Sequence, residues 1–332
     1  MPNFKKLNPA VLLICADFFS YHDSIIKTLE ARGVSVVWWN DRVSNNPIYK
    51  IFLRIMPRLV SRLSTQVFTD QIKGLEANYI LDVLVIKGEG LSSSAVRNLR
   101  KAIPNARFHL YLWDGIENVP MASELAPFFD NISTFDTYDA QRFGWRYRPL
   151  FARNSNQAPA SLSETWVYDC MFVGSLHSDR YSVLKNLVVS STHLRMFVYG
   201  FIPGRLVWWL RHLLDWSLWN SGVIKISTTP LTPKVIQEIL NSSCAVIDIE
   251  HPRQRGLTMR SIETLMAHRK LITTNKNIRH TDLYHESRVL IIDRKESSIS
   301  KEFLESSFLP LDPLVRERYS LGSWVDDVLN NI

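Results

Sequence analysis

Apolar and polar positions along this chain follow two periods in turn. Short unbroken apolar runs rich in β-branched residues recur at Val11–Ala16, Val34–Trp39, Val83–Lys87, Phe108–Trp113 and Ile132–Phe135. Between them lie longer amphipathic segments, His22–Arg32 ending at Gly33 and Ser92–Ala102. Apolar strands alternating with helices predict a parallel sheet of the doubly wound kind. The stretch Asn154–Glu164 holds Asn, Ser, Ala and Pro with little apolar content, which predicts a linker. A second cycle follows it. Strands are expected at Tyr168–Val173, Arg195–Tyr199, Cys244–Ile249, Leu271–Thr274 and Val289–Asp293. Helices are expected from Arg180 onward and over Pro233–Leu240 and Met259–His268. The chain therefore reads as two α/β halves, over residues 1–155 and 165–310, with a closing segment at 311–332.

Composition agrees with a large core. Of 332 residues, 46% are apolar and 21% charged, which excludes a disordered or collagen-like chain. The net charge of +7 favours an anionic partner without choosing one. No apolar run is long enough to cross a bilayer, and the start Met1-Pro2-Asn3 leads into a strand-like run rather than a leader. Cys15, Cys170 and Cys244 lie far apart beside apolar runs, so buried, reduced thiols in a cytoplasmic protein are expected. The phosphate-loop, zinc-protease and nucleophile-elbow patterns are missing. Gly88-Glu89-Gly90 is only a truncated Gly-x-Gly. No motif of nucleic-acid recognition is present, so no nucleic acid is expected as partner.

The segment from Ala245 to Asn275 carries the most chemistry. An apolar strand ends in Asp248 and Glu250, and a loop with Arg253, Arg255 and Gly256 follows. A helix begins near Thr258 with Arg260 in its first turn and Glu263 one turn on, and an apolar strand closes the unit. In a parallel sheet that loop lies at the carboxyl ends of the strands, where ligands bind. Free N–H groups and the dipole at the helix start favour a phosphate, and arginines add bidentate donors. Asp248-Ile249-Glu250 is a conceivable metal-binding pair, since residues i and i+2 of a strand share a face. The resemblance described next is to a fold of two separate α/β halves and not to the fold whose members carry such a pair, so no metal and no cofactor are expected.

This segment resembles the donor-binding motif of GT-B glycosyltransferases, most of all the lipopolysaccharide-core and capsule enzymes of bacteria. The matched features are the strand Ala245–Ile249, the tract Gln254–Arg260, Glu263 and the closing Lys270–Asn275. Phe172-Val173-Gly174-Ser175 resembles the opening of the donor domain. Tyr319-Ser320-Leu321 with Trp324 and Val325 resembles the closing helix that returns to the first domain. The resemblance implies two Rossmann-like domains facing a cleft, with the acceptor held by the first and a nucleotide-sugar co-substrate by the second. It places Gly174, Ser175, Arg253, Arg255, Gly256, Thr258, Arg260 and Glu263 around the donor. Retaining members of the commonest kind carry two glutamates eight positions apart. Counting back eight from Glu263 gives Arg255, so the departure implies an inverting mechanism.

An inverting transfer needs a base for the acceptor hydroxyl. The acidic residues after the first-half strands are Asp17 with His22, Glu89 and Asp114, and Glu89 in its Gly-flanked loop is expected to be well exposed. Lys50, Arg54, Arg58 and Arg62 recur every four residues beside Ile51, Ile55, Leu59 and Leu63, a basic stripe along an apolar one that Pro57 would kink. Trp208, Trp209, Trp216 and Trp219 mix with Arg205, Arg211 and His212 in a second such stretch. Both suit an anionic membrane face or a glycan or glycolipid acceptor. The rival reading is a non-catalytic two-domain binding protein for a small anion.

Overall fold

The computed structural model describes residues 10–17, 20–44, 49, 52–53, 55–76, 79–119, 121–153, 166–202, 204, 224–295 and 298–329. The chain divides into two compact units, Met1–Arg153 with Ser320–Ile332, and Asn154–Tyr319. No helix among the described residues is long and apolar enough to cross a membrane.

The first unit runs β1 (Ala10–Ile14), α1 (Tyr21–Glu30), β2 (Ser35–Trp39), α2 (Pro57–Lys73), β3 (Ile80–Ile86) and α3 (Ser93–Ala102). It continues through β4 (Arg107–Leu112), α4 (Ala122–Leu125), β5 (Asn131–Thr134), α5 (Thr137–Phe143) and β6 (Arg146–Tyr147). The six strands form a parallel sheet in the order β2-β1-β3-β4-β5-β6. Successive strand side chains point to opposite faces. Leu12, Ile14, Val83, Val85 and Phe108 therefore meet Phe68 of α2 with Val96 and Leu99 of α3 on one face. On the other face Tyr111 meets Trp324, whose ring stands edge-on to it at 4.8 Å. Trp324 is fully buried and belongs to α11 (Leu321–Val328), so the chain's last helix lies in the first unit. Arg32 fixes it by donating to the Asp326 carboxylate and the Gly322 carbonyl.

The second unit runs β7 (Tyr168–Ser175), α6 (Arg180–Ser190), β8 (Met196–Phe201), β9 (Lys225–Ser227), α7 (Pro233–Asn241) and β10 (Ser243–Asp248). It closes with α8 (Met259–Met266), β11 (Lys270–Thr273), β12 (Val289–Ile291), α9 (Lys301–Glu305) and α10 (Pro313–Arg318). Its sheet is also six-stranded and parallel, in the order β12-β11-β10-β7-β8-β9. Phe172, Ala245, Ile247 and Ile272 pack on Leu184 and Leu187 of α6. Met171, Val173 and Val246 pack on Ile239 of α7 from the opposite face. Both sheets are thus doubly wound, the expected fold class.

The differences are local. The sequence reading has no β6 and no β9, edge strands of 2 and 3 residues. Pro57 does not kink a continuous helix. It occupies the first position of α2, where its missing N–H has no intrahelical partner to lose, and helical residues 52–53 and 55 precede a break at Met56. The three cysteines are buried and free, and burial pushes the Cys15 thiol up to about 12.

Candidate functional site

Strand order places the sites. In the second sheet the chain leaves β7 for β8 and β9, then returns to β10 on the other side of β7. The carboxyl ends of β7 and β10 therefore flank a topological switch point, where loops diverge and leave room for a ligand. Gly174 and Ser175 end β7, and Asp248 ends β10. Arg260 brings its guanidinium over the Phe172 ring, 5.6 Å from the ring centroid. A Cβ on Gly174 would lie 3.1 Å from Arg260 Nη1 and 3.2 Å from the Phe172 ring, so a side chain there would press the guanidinium outward by a few tenths of an ångström. Among the described residues Arg260 makes no hydrogen bond or ion pair, and it is half-buried. Glu263 follows it by one helical turn and is also half-buried.

The loop before α8 is held rigidly. Asn275, buried at the end of β11, donates to the carbonyls of Arg255 at 3.3 Å and Gly256 at 3.2 Å. Asn277 donates to the Arg255 carbonyl at 3.0 Å. Thr258 caps α8 by accepting from Ser261 N at 3.0 Å, and its hydroxyl donates to Asp248. Ser261 Oγ donates to the same carboxylate at 2.7 Å. The side chains of Arg253 and Arg255 are exposed, whereas Thr258 and Gly256 act as parts of this scaffold.

Two further arginines brace the strand ends. Arg180 is buried and donates to the carbonyls of Ser175 at 2.8 Å and Ile249 at 2.7 Å. Its pKa is drawn down to about 10, first by burial and then by the repelling charge of Arg260. Arg294 donates to Asp179 at 2.9 Å and to the Glu250 carboxylate at 2.5 Å. Glu250 also accepts from Thr274 Oγ1 at 2.5 Å, and burial raises its pKa above the ordinary value. Asp248 and Glu250 therefore have separate donor sets. His177 and His251 face each other at 5.9 Å across the same strand ends. Arg180, Arg294, Asn275, His177 and His251 were not singled out by sequence. Taking the first polar residue after the expected strands Leu271–Thr274 and Val289–Asp293 would have found Asn275 and Arg294, whereas Arg180, His177 and His251 carry no such signal.

In the first sheet the switch point lies between β1 and β3. Glu89 is not open to solvent as expected. Its side chain is 12% exposed, with Arg42 Nη2 at 2.7 Å and Lys87 Nζ at 3.3 Å. Burial works to raise its pKa, but Lys87 and Arg42 outweigh burial and hold it below the ordinary value. Lys87 also reaches Asp114 at 2.7 Å, from a left-handed backbone (φ +69°) that costs a non-glycine residue roughly 1–2 kcal/mol. Asp17 is the most open of the three candidates, its side chain 51% exposed and its Oδ1 3.7 Å from His22 Nδ1. His22 is buried, stacks on Trp38 at 4.3 Å, and places Nε2 3.2 Å from Asp23.

Asp41 supports this cluster from below. It is fully buried, accepts from Glu89 N at 3.2 Å through Oδ2, and leaves Oδ1 without a hydrogen bond among the described residues. Burial lifts its pKa from 3.8 to about 6. The folded carboxyl thus holds its proton more tightly than the unfolded one. That contribution to stability is present at low pH and is lost as pH rises from 3.8 to about 6. Asp41→Asn should remove this loss, so the stability difference between variant and wild type, measured by denaturant titration, should shift in the variant's favour across that window. A difference independent of pH would contradict the assignment.

Arg58 and Arg62 lie on α2, Arg58 paired with Glu124 at 2.7 Å and Arg62 exposed. Lys50, Arg54 and the Trp208–Trp219 stretch lie outside the described residues.

No protein-family model matches the chain, and no curated protein matches it in sequence. Solved structures match it over nearly its whole length. The Anabaena protein HepE in complex with UDP-glucose aligns at TM-score 0.60 and 11% identity, covering 97% of this chain and 98% of that one. AviGT4, a glycosyltransferase of avilamycin A biosynthesis, aligns at 0.56 and 10% identity, covering 97% and 96%. The lipopolysaccharide outer core galactosyltransferase WaaB aligns at 0.51 and 10% identity, covering 97% and 98%. The likeness is one of fold: two Rossmann-like units, as in the GT-B glycosyltransferases.

Proposed function

We propose that this chain is a glycosyltransferase that moves a sugar from a nucleotide-sugar donor to a glycan acceptor. The observation that carries the reading is Arg260, a half-buried guanidinium with no hydrogen bond among the described residues, at a topological switch point and in the first turn of a capped helix. Such a site is built for a diphosphate: the free helix N–H groups and the guanidinium both meet negative charge. The second unit holds the donor and the first unit presents the acceptor and the base.

In the proposed reaction the acceptor hydroxyl gives its proton to Asp17 as its oxygen bonds to the sugar's anomeric carbon. The bond from that carbon to the phosphate oxygen breaks, and the departing diphosphate charge falls on Arg260 and the start of α8. Asp17 is preferred because no Lys or Arg among the described residues pairs with it, whereas Glu89 and Asp114 share Lys87. Attack from the face opposite the leaving group inverts the anomeric centre. A surface glycan, lipopolysaccharide core or capsule, is the proposed acceptor class, and the fold-level neighbour WaaB acts on such a glycan. The reaction would take place in the cytoplasm, where nucleotide sugars are made.

A thermal-shift series with UDP, GDP, CMP and dTDP sugars tests the donor site, because a ligand bound only by the folded state raises its stability. No stabilisation by any of them would remove the reading. We expect transfer to persist in EDTA, since Asp248 and Glu250 are each engaged by internal donors. Activity abolished by the chelator and restored by Mn²⁺ or Mg²⁺ would assign those carboxylates to a metal instead.

A further inference from the structure

Beside the proposed base lies a buried ring that the reaction as written does not use. His22, in the first turn of α1, is 8% exposed, and its Nδ1 has no hydrogen-bond partner among the described residues. That nitrogen lies 3.7 Å from Asp17 Oδ1. A buried polar atom left unpaired is costly, so its presence calls for a role. The ring is held firmly. It stacks on Trp38 at 4.3 Å between centroids, and Trp38 is itself fixed by donating from Nε1 to the Cys15 carbonyl at 3.2 Å. Ser20 leads the chain into α1 through a left-handed backbone, φ +56°, which a residue with a side chain adopts at a cost. Nε2 lies 3.2 Å from Oδ1 of Asp23, a half-exposed side chain. Packing alone does not account for the imidazole, since a phenyl ring would stack on Trp38 and leave no nitrogen unpaired.

We infer that His22 is a positioning residue that acts through Asp17, as the second station for the acceptor's proton. This rests on the reading of Asp17 as the base. A carboxylate beside Nε2 favours the tautomer with the proton on that nitrogen, which leaves the Nδ1 lone pair facing Asp17. Lone pair and carboxylate repel while no proton lies between them, which accounts for the gap of 3.7 Å. Asp17 is half exposed, so its side chain has room to close that gap to hydrogen-bond distance. In the first step the acceptor O–H bond breaks and an O–H bond forms on Asp17. In the second, that bond breaks, an N–H bond forms on Nδ1, and Asp17 is a carboxylate again. The imidazolium then stands between Asp17 and Asp23, whose negative charges stabilise it until the proton leaves to water. Handing the proton back commits the transfer, because a protonated Asp17 beside the new glycosidic oxygen is the acid of the reverse reaction.

Chemical rescue of His22→Ala in the transfer assay tests this, because the variant leaves a ring-sized space beside Trp38. Its kcat should fall about 10- to 100-fold, with KM for the acceptor and affinity for the donor within about twofold of wild type. Added imidazole should restore kcat saturably. Pyrrole, which has the same shape and no basic lone pair, should not. Asp23→Asn changes an exposed side chain and should lower kcat about three- to tenfold at unchanged KM, because the imidazolium loses one counter-charge. A His22→Ala variant as active as wild type, one that pyrrole restores as well as imidazole, or one that imidazole does not restore would overturn the inference. Asp23→Asn with wild-type kcat would overturn it even where His22→Ala fails to fold. A wild-type chain that transfers no sugar would instead overturn the reading of the chain as a glycosyltransferase, and the inference with it.

Discussion

Asp17→Asn lowers kcat by about 10²–10⁴-fold and leaves donor affinity within about twofold, if Asp17 takes the acceptor proton. The carboxamide keeps the shape of the side chain and cannot accept that proton. Asp17 follows β1 at the switch point of the first sheet and is half exposed, with His22 Nδ1 3.7 Å from its Oδ1. His22 is in turn fixed by its stack on Trp38 and by Asp23. Glu89→Gln is the informative comparison. Glu89 is clasped by Arg42 and Lys87, so its loss should disturb the arrangement of Lys87 and Asp114 more than the proton transfer itself. Stopped-time assays at saturating donor, paired with calorimetry for donor affinity, separate the two. An Asp17→Asn variant with wild-type kcat would move the base to Asp114.

Arg260→Ala weakens nucleotide-sugar binding by about 1.5–3 kcal/mol, the range for a hydrogen bond to a charged group, or roughly 10- to 150-fold in Kd. The loss should appear equally with the sugar nucleotide and with its nucleoside diphosphate, because the proposed contact is to phosphate. Arg260→Lys should recover only part, since a single ammonium does not replace a planar fork resting on the Phe172 ring. The change should not unfold the second unit. Arg180, not Arg260, links the ends of β7 and β10 through the Ser175 and Ile249 carbonyls. Titration calorimetry that finds the same affinity in Arg260→Ala and wild type would remove the donor site from this loop.

The fold is legible in the sequence because both sheets are parallel and covered on both faces, so the central strands are largely apolar runs and the crossovers between them amphipathic. Val11–Ala16, Val83–Lys87 and Cys244–Ile249 stand out for that reason. The edge strands Arg146–Tyr147 and Lys225–Ser227 do not, since a short edge strand has neither the length nor the apolar content to rise above its loops. Arg260 is legible because a helix start after a Gly-containing loop can be recognised locally. The clasp on Glu89 is not, because Arg42 comes from the end of β2 and meets Glu89 only through the order β2-β1-β3. The buried Asp41 is hidden for the same reason. Its pKa depends on the absence of water and on Glu89 above it, neither of which is a property of neighbouring residues in sequence.

The central claim is that the chain transfers a sugar rather than merely binding its donor. Incubation with the nucleotide sugar that gives the largest thermal stabilisation, followed by quantification of the free nucleoside diphosphate, tests it most directly. The proposal predicts release of the diphosphate that accelerates when a lipopolysaccharide-core or capsule acceptor is added, with the sugar recovered on the acceptor in the anomeric configuration opposite to the donor's. A stoichiometric, stable complex with the nucleotide sugar and no diphosphate release on adding acceptor would contradict it, and would establish a two-unit binding protein instead.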